Sequence, residues 1–335
     1  MKYSILDQSP IISGSNASES LHATLELAVA ADKWGYHRFW VAEHHSHVGL
    51  AGSCPEILIS RLLGMTDRLR VGSGGTLLSH YSPLKVAETF SMLCHLYPGR
   101  VDLGLARGLI TEDHLSLVLR GAADETAYEQ KVRELINFMS DEFPHDHASK
   151  AISINRPSHQ PPVWILSSGR RGAATAAGMG LPLAYAHFTA GDTDLLSRYR
   201  KFYRPSSQNP DPYVMLCLAV SCAETVAEAE ANADVAVFWY LQIRARKNVA
   251  IPTLQSTTEN LERSFASDAV RVGRERIVSG TPNMVLDNVH RLAAQHQADE
   301  VMLLTVSPTN EARMMSYELL ASEFNATSVN TMSIA

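Results

Sequence analysis

Glu43-His44-His45 follows the apolar run Arg38–Ala42, and His47 stands two residues further on. Histidines and a carboxylate packed this closely admit three kinds of chemistry. A metal site needs ligands converging from several elements. His45 and His47 have His-x-His spacing, but they lie beyond the apolar run in a loop with Gly49 and Gly52. Barrel metallohydrolases often carry such a pair on their first strand; here that strand ends in Asp7-Gln8-Ser9. Adjacent side chains on extended backbone point to opposite faces, so His44 and His45 are not expected to share a ligand. No metal is expected. A general base fits better, because one imidazole can face a cavity with a pKa near the working range. A support role for His45, and a place in the loop for His47, are the ordinary readings of the other two.

Three further strand ends carry polar or glycine residues after apolar runs: Ser73-Gly74-Gly75, Ala106-Arg107-Gly108 and Ser167-Ser168-Gly169-Arg170. Paired glycines let backbone approach a flat ligand closely; a tight strand-to-loop turn would need them equally. Ser167-Ser168-Gly169 opens a helix, whose free N–H groups and dipole suit an anion, and Arg107 could add a charge-assisted fork. An ordinary N-cap and a surface salt bridge would explain each of these singly. Their recurrence at successive strand ends carries more information than any one of them.

The elements that must position these residues follow from periodicity. Strands are expected at Tyr3–Leu6, Arg38–Ala42, from Arg70, and at Val101–Ala106, Val163–Leu166, Leu183–Ala186, Tyr213–Val220 and Glu300–Leu304. Helical sequence follows each. Asn16 and Glu19 are spaced as a capping pair, Gly35 stops the first helix, and Pro55 and Pro83 open the next two. Later helices are expected near Glu125–Met139, at Ala173–Met179, Thr193–Tyr203, Glu224–Leu241, Asn283–Gln297 and Asn310–Glu323. Gln242–Ser279 is longer and less periodic. Alternating strands and helices point to a parallel sheet, and near-continuous apolar strands such as Val214–Val220 fit one buried on both faces.

The expected fold class is α/β, a (β/α)8 TIM barrel with an insertion after the seventh strand. A doubly wound open sheet is the alternative; it favours a G-x-G-x-x-G turn that the first strand does not carry. The 335 residues suit a single barrel domain, 1–335, with 242–279 as a candidate lid. A net charge of −6 without blocks of like charge argues against nucleic acid or an anionic membrane as partner. The start MKYSILDQSP lacks a signal-peptide apolar region, and the four cysteines form no C-x-x-C pair, so a reduced cytoplasmic setting is expected.

Five segments carry a family resemblance: FWVAEHH at 39–45, VGSGGTLLSHYSPLKVAE at 71–88, PGRVDLGLARG at 98–108, PPVWILSSGRRGAATAAGMGLPLAYA at 161–186 and SGTPNMVLDNVHRL at 279–292. Together the sequence resembles the bacterial luciferase-like flavin-dependent monooxygenases. The resemblance implies an oxygenase that uses reduced FMN and O2 on an aldehyde, ketone or aromatic, polyketide-like substrate, through a flavin C4a-hydroperoxide. It implies a separate reductase as the source of FMNH2 and a homodimer formed through barrel helices. Carried over by residue, His44 is the catalytic histidine and Glu43 lines the flavin site. Gly74 and Gly75 lie under the isoalloxazine, in this family often joined by a non-prolyl cis peptide. Arg107, Ser167 and Ser168 hold the phosphate, with Arg170 beside them. The chain departs from luciferases proper at Ala106, where they carry a cysteine, so light emission is not expected. It also departs at Gly108-Leu109-Ile110 and Asp113-His114, where many relatives read Ala-Pro-Gly after the arginine. Hydride transfer with the deazaflavin F420, or flavin binding without turnover, are the alternatives.

Overall fold

The computed structural model describes residues 1–108, 118–119, 128–189 and 194–332, with side chains to residue 326. Nine strands run through it: β1 (Lys2–Asp7), β2 (Arg38–Val41), β3 (Arg70–Leu77), β4 (Val101–Ala106), β5 (Val163–Ser167), β6 (Leu183–Ala186), β7 (Val214–Cys222), β8 (Ile277–Gly280) and β9 (Glu300–Leu304). All pairings are parallel. Each of β1 to β6 pairs with the next, β6 pairs with β7, β7 with β9, and β9 with β1, so eight strands close into a barrel. The expected (β/α)8 barrel is the fold. β8 is additional: it extends the rim by pairing with Ala219–Cys222 of β7.

Eleven helices are described, counted here in chain order. They are α1 (Ala17–Trp34), α2 (Pro55–Leu63), α3 (Pro83–Leu96), α4 (Tyr128–Ser140), α5 (Arg170–Met179), α6 (Leu195–Lys201), α7 (Val226–Arg244), α8 (Leu254–Ser264), α9 (Ser267–Arg274), α10 (Pro282–Gln295) and α11 (Asn310–Met332). Local chemistry sets their ends. The Asn16 side chain accepts from Glu19 N at 3.1 Å, and Gly35, at φ 88°, donates its N–H to the Ala31 carbonyl. These are the N-cap and the left-handed C-cap that the sequence announces.

The strands sort their side chains with period two. Ile5, Phe39, Val41, Leu103, Val301 and Leu303 face the helices and pack on Leu27, Ile59, Phe90, Val289 and Tyr317. The alternate residues Leu6, Trp40, Ala42, Trp164, Met215 and Met302 fill the barrel. Beneath them lies an ionic floor. Arg38 Nη1 meets Asp102 Oδ2 at 2.7 Å and its Nε meets Glu300 Oε1 at 2.9 Å. Arg70 Nη2 holds the other Asp102 oxygen at 2.6 Å. Ser4 and Tyr213 hydroxyls donate to Glu300, and Trp40 Nε1 donates to Asp102. The network spans β1, β2, β3, β4 and β9 and the residue before β7.

Two expectations change. The third strand does not stop at Gly74-Gly75; it runs on to Leu77, with the glycines inside it at a register shift between Ser73 and Thr76. Residues 242–279, expected to be less periodic, hold the two helices α8 and α9 and most of β8. Leu261 and Val270 pack on Val237, Phe238 and Leu241 of α7, so the segment is tied down by its own small core.

Asp102 is fully buried. Burial pushes its carboxyl up, but the Arg38 and Arg70 guanidiniums outweigh this and hold it below the usual carboxylate range. Its stabilising contribution is therefore present above the unfolded value of ~3.9 and is lost as pH falls through the lower folded value. Asp102→Ala leaves Arg38 with Glu300 alone and Arg70 without its carboxylate, and is expected to cost about 3 kcal/mol. Urea unfolding at pH 7 checks this; a loss under about 1 kcal/mol would mean the floor carries little of the stability.

Candidate functional site

The inward phase of β2 continues past its end. Arg38, Trp40 and Ala42 point into the barrel; two residues on, His44 points into a cavity at the rim. Its N–H is fixed to the Gly52 carbonyl at 2.8 Å. Gln8, just after β1, brings its side-chain nitrogen to 3.4 Å from His44 Nε2. Gln8 is itself held by a tight turn. Asp7 Oδ1 accepts from Ser9 N at 2.8 Å and from the Thr24 hydroxyl at 2.7 Å, and Asp7 Oδ2 pairs with Arg313 at 2.9 Å. His44 is half-buried and lines this cavity. Burial, and then the neighbouring His47 and His45, push its pKa down to about 4. The expectation of a pKa near the working range is not met: enclosure makes His44 a weaker base than a free imidazole, neutral through the physiological range and able to accept a proton only from a strongly acidic partner.

Glu43 and His45 occupy the opposite phase and find each other: His45 Nε2 lies 2.7 Å from Glu43 Oε1. The same oxygen accepts from Tyr81 OH at 2.6 Å, and Glu43 Oε2 accepts from Leu77 N at 2.9 Å. Burial and this carboxylate raise the Tyr81 hydroxyl well above the ordinary tyrosine range, so it stays a donor. The Glu43 carboxylate thus turns towards the end of β3 and steadies the segment that carries the two glycines.

Gly74 and Gly75 are joined by a cis peptide bond. A side-chain carbon on Gly74 would stand 2.5 Å from Leu6 Cδ1 and 3.1 Å from Trp40 Cβ. One on Gly75 would stand 3.0 Å from the Gly104 carbonyl oxygen and 3.1 Å from Ala106 N. A side chain at either place would press on packed neighbours, so glycine is favoured at both and the backbone there carries no side chain.

Arg107 follows β4 directly, and its charge reaches the buried Tyr128. Leu105 pairs with Ile165; continuing that register sets Arg107 alongside Ser167. The Ser167 hydroxyl accepts from Gly169 N at 3.1 Å and lies 3.0 Å from the Gly169 carbonyl, shaping the turn into α5. Gly169 caps α5 without a side-chain bond, Ser168 is half-buried, and Arg170 is exposed in the first turn. The predicted residues therefore fall on four consecutive strands, at or just after the ends of β2, β4 and β5 and inside β3. They run from a neutral histidine, past the paired glycines, to a helix start capped by Gly169 without a side-chain bond. That arc suits a flat ring system with a phosphate tail, and the donor set at its end, the N–H groups opening α5 with Arg107 alongside, is the chemistry that fits FMN. Leu109, Ile110, Asp113 and His114 lie outside the described residues.

Beyond His44 is a cavity of about 260 Å³. Its walls include Phe188, Trp239, Ile243, Leu304 and Val306. His47 lies in the loop after β2, as expected, and its ring also lines this cavity, 5.7 Å from Trp239 and 6.4 Å from His44. Gln8 and Trp239 were missed. Gln8 had a signal, the Asp-x-Ser turn at 7–9; Trp239 lies on a long helix and had none. Among the described residues no three His, Cys, Asp or Glu side chains converge as a metal site, and no helix is long and apolar enough to cross a membrane.

Residues 1–299 match the family model of luciferase-like monooxygenases. The chain is 32% identical to "Luciferase-like monooxygenase" of Escherichia coli K12, covering 95% of each chain. It is 31% identical to "N-acetyl-S-alkylcysteine monooxygenase" of Bacillus subtilis, covering 96% of this chain and 97% of that one. The crystal structure of apo-MsnO8 superposes with a TM-score of 0.86 at 33% identity, covering 97% of each chain. More distantly, the "Flavin-dependent trigonelline monooxygenase, oxygenase component" of Acinetobacter baylyi matches at 24% identity over 70% of this chain. The oxygenating constituent of 3,6-diketocamphane monooxygenase, solved with FMN, shares the fold at 17% identity and TM-score 0.69, covering 96% of this chain and 97% of that one.

A folded-state pKa near 4 for His44 lies below the unfolded histidine value of ~6.5. The unfolded chain therefore takes up this proton first, and stability falls as pH drops from ~6.5 through about 4. Histidine NMR titration is expected to show the His44 ring still neutral at pH 5.5, and His44→Gln is expected to lessen the loss of stability over that window. A His44 midpoint near 6.5 would contradict both.

Proposed function

The chain belongs to the luciferase-like monooxygenase family, and from that premise we propose that it is the oxygenase component of a two-component system that uses reduced FMN and O2. The arc from His44 over Gly74-Gly75 to Arg107 and Ser167 carries this reading. Gly74 and Gly75 would lie against the flavin ring. Arg107, Ser167, Ser168, the free N–H groups at the start of α5 and Arg170 would hold the phosphate. Reduced FMN supplies the electrons that activate O2 when it is bound.

The chain's own residues supply placement and proton handling. Glu43 acts through others: it fixes Leu77 N, Tyr81 and His45, and so the strand end under the ring. His44 Nε2, neutral and aligned by Gln8, takes up or returns a proton at the reacting centre. Trp239, Ile243, Leu304 and Val306 keep bulk water from that centre. Residues 242–279 close one wall through Gly273, Arg276 and Ile277, in keeping with a cover over the site. The substrate is a small or medium organic molecule of aldehyde, ketone or aromatic type. FMNH2 comes from a separate reductase, a division of labour matched by the relative described as an oxygenase component, in a cytoplasmic setting.

A homodimer completes the proposal. α2 and α3 expose Ile57 (67%), Met92 (62%) and Leu96 (61%) on neighbouring barrel helices, a patch that a second copy about a two-fold axis would cover.

Two outcomes test these points. His44→Ala is expected to lower O2-dependent product formation about 10²- to 10⁴-fold while reduced FMN still binds; unchanged turnover would remove His44 from the chemistry. Met92→Glu is expected to shift the protein from dimer to monomer in sedimentation velocity, and an unaltered dimer would move the interface elsewhere.

A further inference from the structure

The cavity beyond His44 is apolar along most of its wall but not at one point. Among its lining residues the sole full charge is Arg276, just before β8. Its Nη1 donates to the Thr189 carbonyl at 3.2 Å. Among the described residues it meets no carboxylate. Nearby arginines on the same segment are paired: Arg274 with Asp234 and Glu262, and Arg271 with Asp268 and Glu275. A guanidinium has five donors in a planar fork matched to a carboxylate. Arg276 spends one of them on a backbone oxygen and is half-buried against the cavity.

Its place relative to His44 follows from topology. Arg276 is bonded to the loop after β6, and His44 follows β2. In the closed order β1-β2-β3-β4-β5-β6-β7-β9, β2 and β6 stand four steps apart in either direction. The two residues therefore approach the cavity from opposite sides of the rim. Phe188, Trp239 and Ile243 line the space with them. One side holds neutral imidazoles, the other a fixed positive charge, and apolar side chains make up most of the remaining wall.

We propose that the cavity takes an amphiphilic monocarboxylate, with its carboxylate on Arg276, its apolar body against Trp239 and Ile243, and its reacting end at His44. This deepens the oxygenase reading and rests on it for the direction of the substrate: the anionic end is the handle and the opposite end is the one presented to the chemistry. Arg276 is then a specificity-determining residue that takes no part in proton transfer.

The test uses flavin-free protein and measures direct binding by titration calorimetry, with octanoate and 1-octanol as matched probes. Wild type is expected to bind octanoate about tenfold or more tightly than 1-octanol. Arg276→Gln is expected to abolish that preference while leaving 1-octanol affinity unchanged. Should Arg276→Gln lose both ligands through collapse of the wall, Arg276→Lys decides: a retained preference for octanoate supports the proposal, and a lost one overturns it. Equal affinities in wild type, no binding of either probe, or an undiminished preference in Arg276→Gln would also overturn it. Binding of reduced FMN to wild type is measured separately. If FMN fails to bind, the oxygenase reading falls while the carboxylate result stands by itself.

Discussion

Arg38, held between Asp102 and Glu300, is the constraint from which the site follows. Two carboxylates with almost no solvent access must be satisfied, and they are satisfied by side chains on β1, β2 and β3 and by Tyr213 just before β7. Such a pair is a poor source of net stability compared with a well-packed apolar floor, but breaking it is costly. It therefore fixes which face of each strand looks inward. Once Arg38 is pinned at the floor, alternation carries Trp40 and Ala42 up the interior and delivers His44 to the cavity. The same alternation sends Glu43 and His45 to the other side, where they bond to each other. One residue of slip in β2 would exchange these roles.

The rim then divides into a part that holds shape and a part that meets ligands. Glu43, Tyr81 and His45 form a closed set of hydrogen bonds under the β3 end. Asp7, Thr24 and Arg313 do the same under Gln8. Between these supports lie a neutral imidazole, the paired glycines and the start of α5. The low pKa of His44 is a product of its enclosure and its histidine neighbours, so the protein that excludes water from the cavity also sets the protonation state of the base.

Much of this was legible in the sequence. Strand and helix order came from periodicity, and Asn16, Gly35, Pro55 and Pro83 marked helix ends because caps are local chemistry. The phase of His44 against His45 was readable for the same reason, since alternation is a property of extended backbone alone. Features that depend on distant contacts were not readable. Gly74-Gly75 looked like a strand end because paired glycines usually break strands; only the packing against Leu6 and Gly104 shows why the strand continues through them. β8 has only Ile277 and Val278 before Ser279-Gly280, so it lacks the apolar run that marked β2 and β6 at the same length. His47, Trp239 and Arg276 are far apart in the chain and meet only because the 242–279 segment folds back on α7. The triple role of Glu43 as acceptor was equally hidden, since Leu77 and Tyr81 lie more than thirty residues away.

The central claim is that the arc from His44 to Ser168 seats reduced FMN. Anaerobic equilibrium dialysis of the protein against reduced FMN and, separately, against reduced F420 measures this most directly. Saturable binding of reduced FMN, weakened by Arg107→Ala and without comparable retention of F420, is the predicted result. Retention of F420 with no affinity for FMN would contradict the claim.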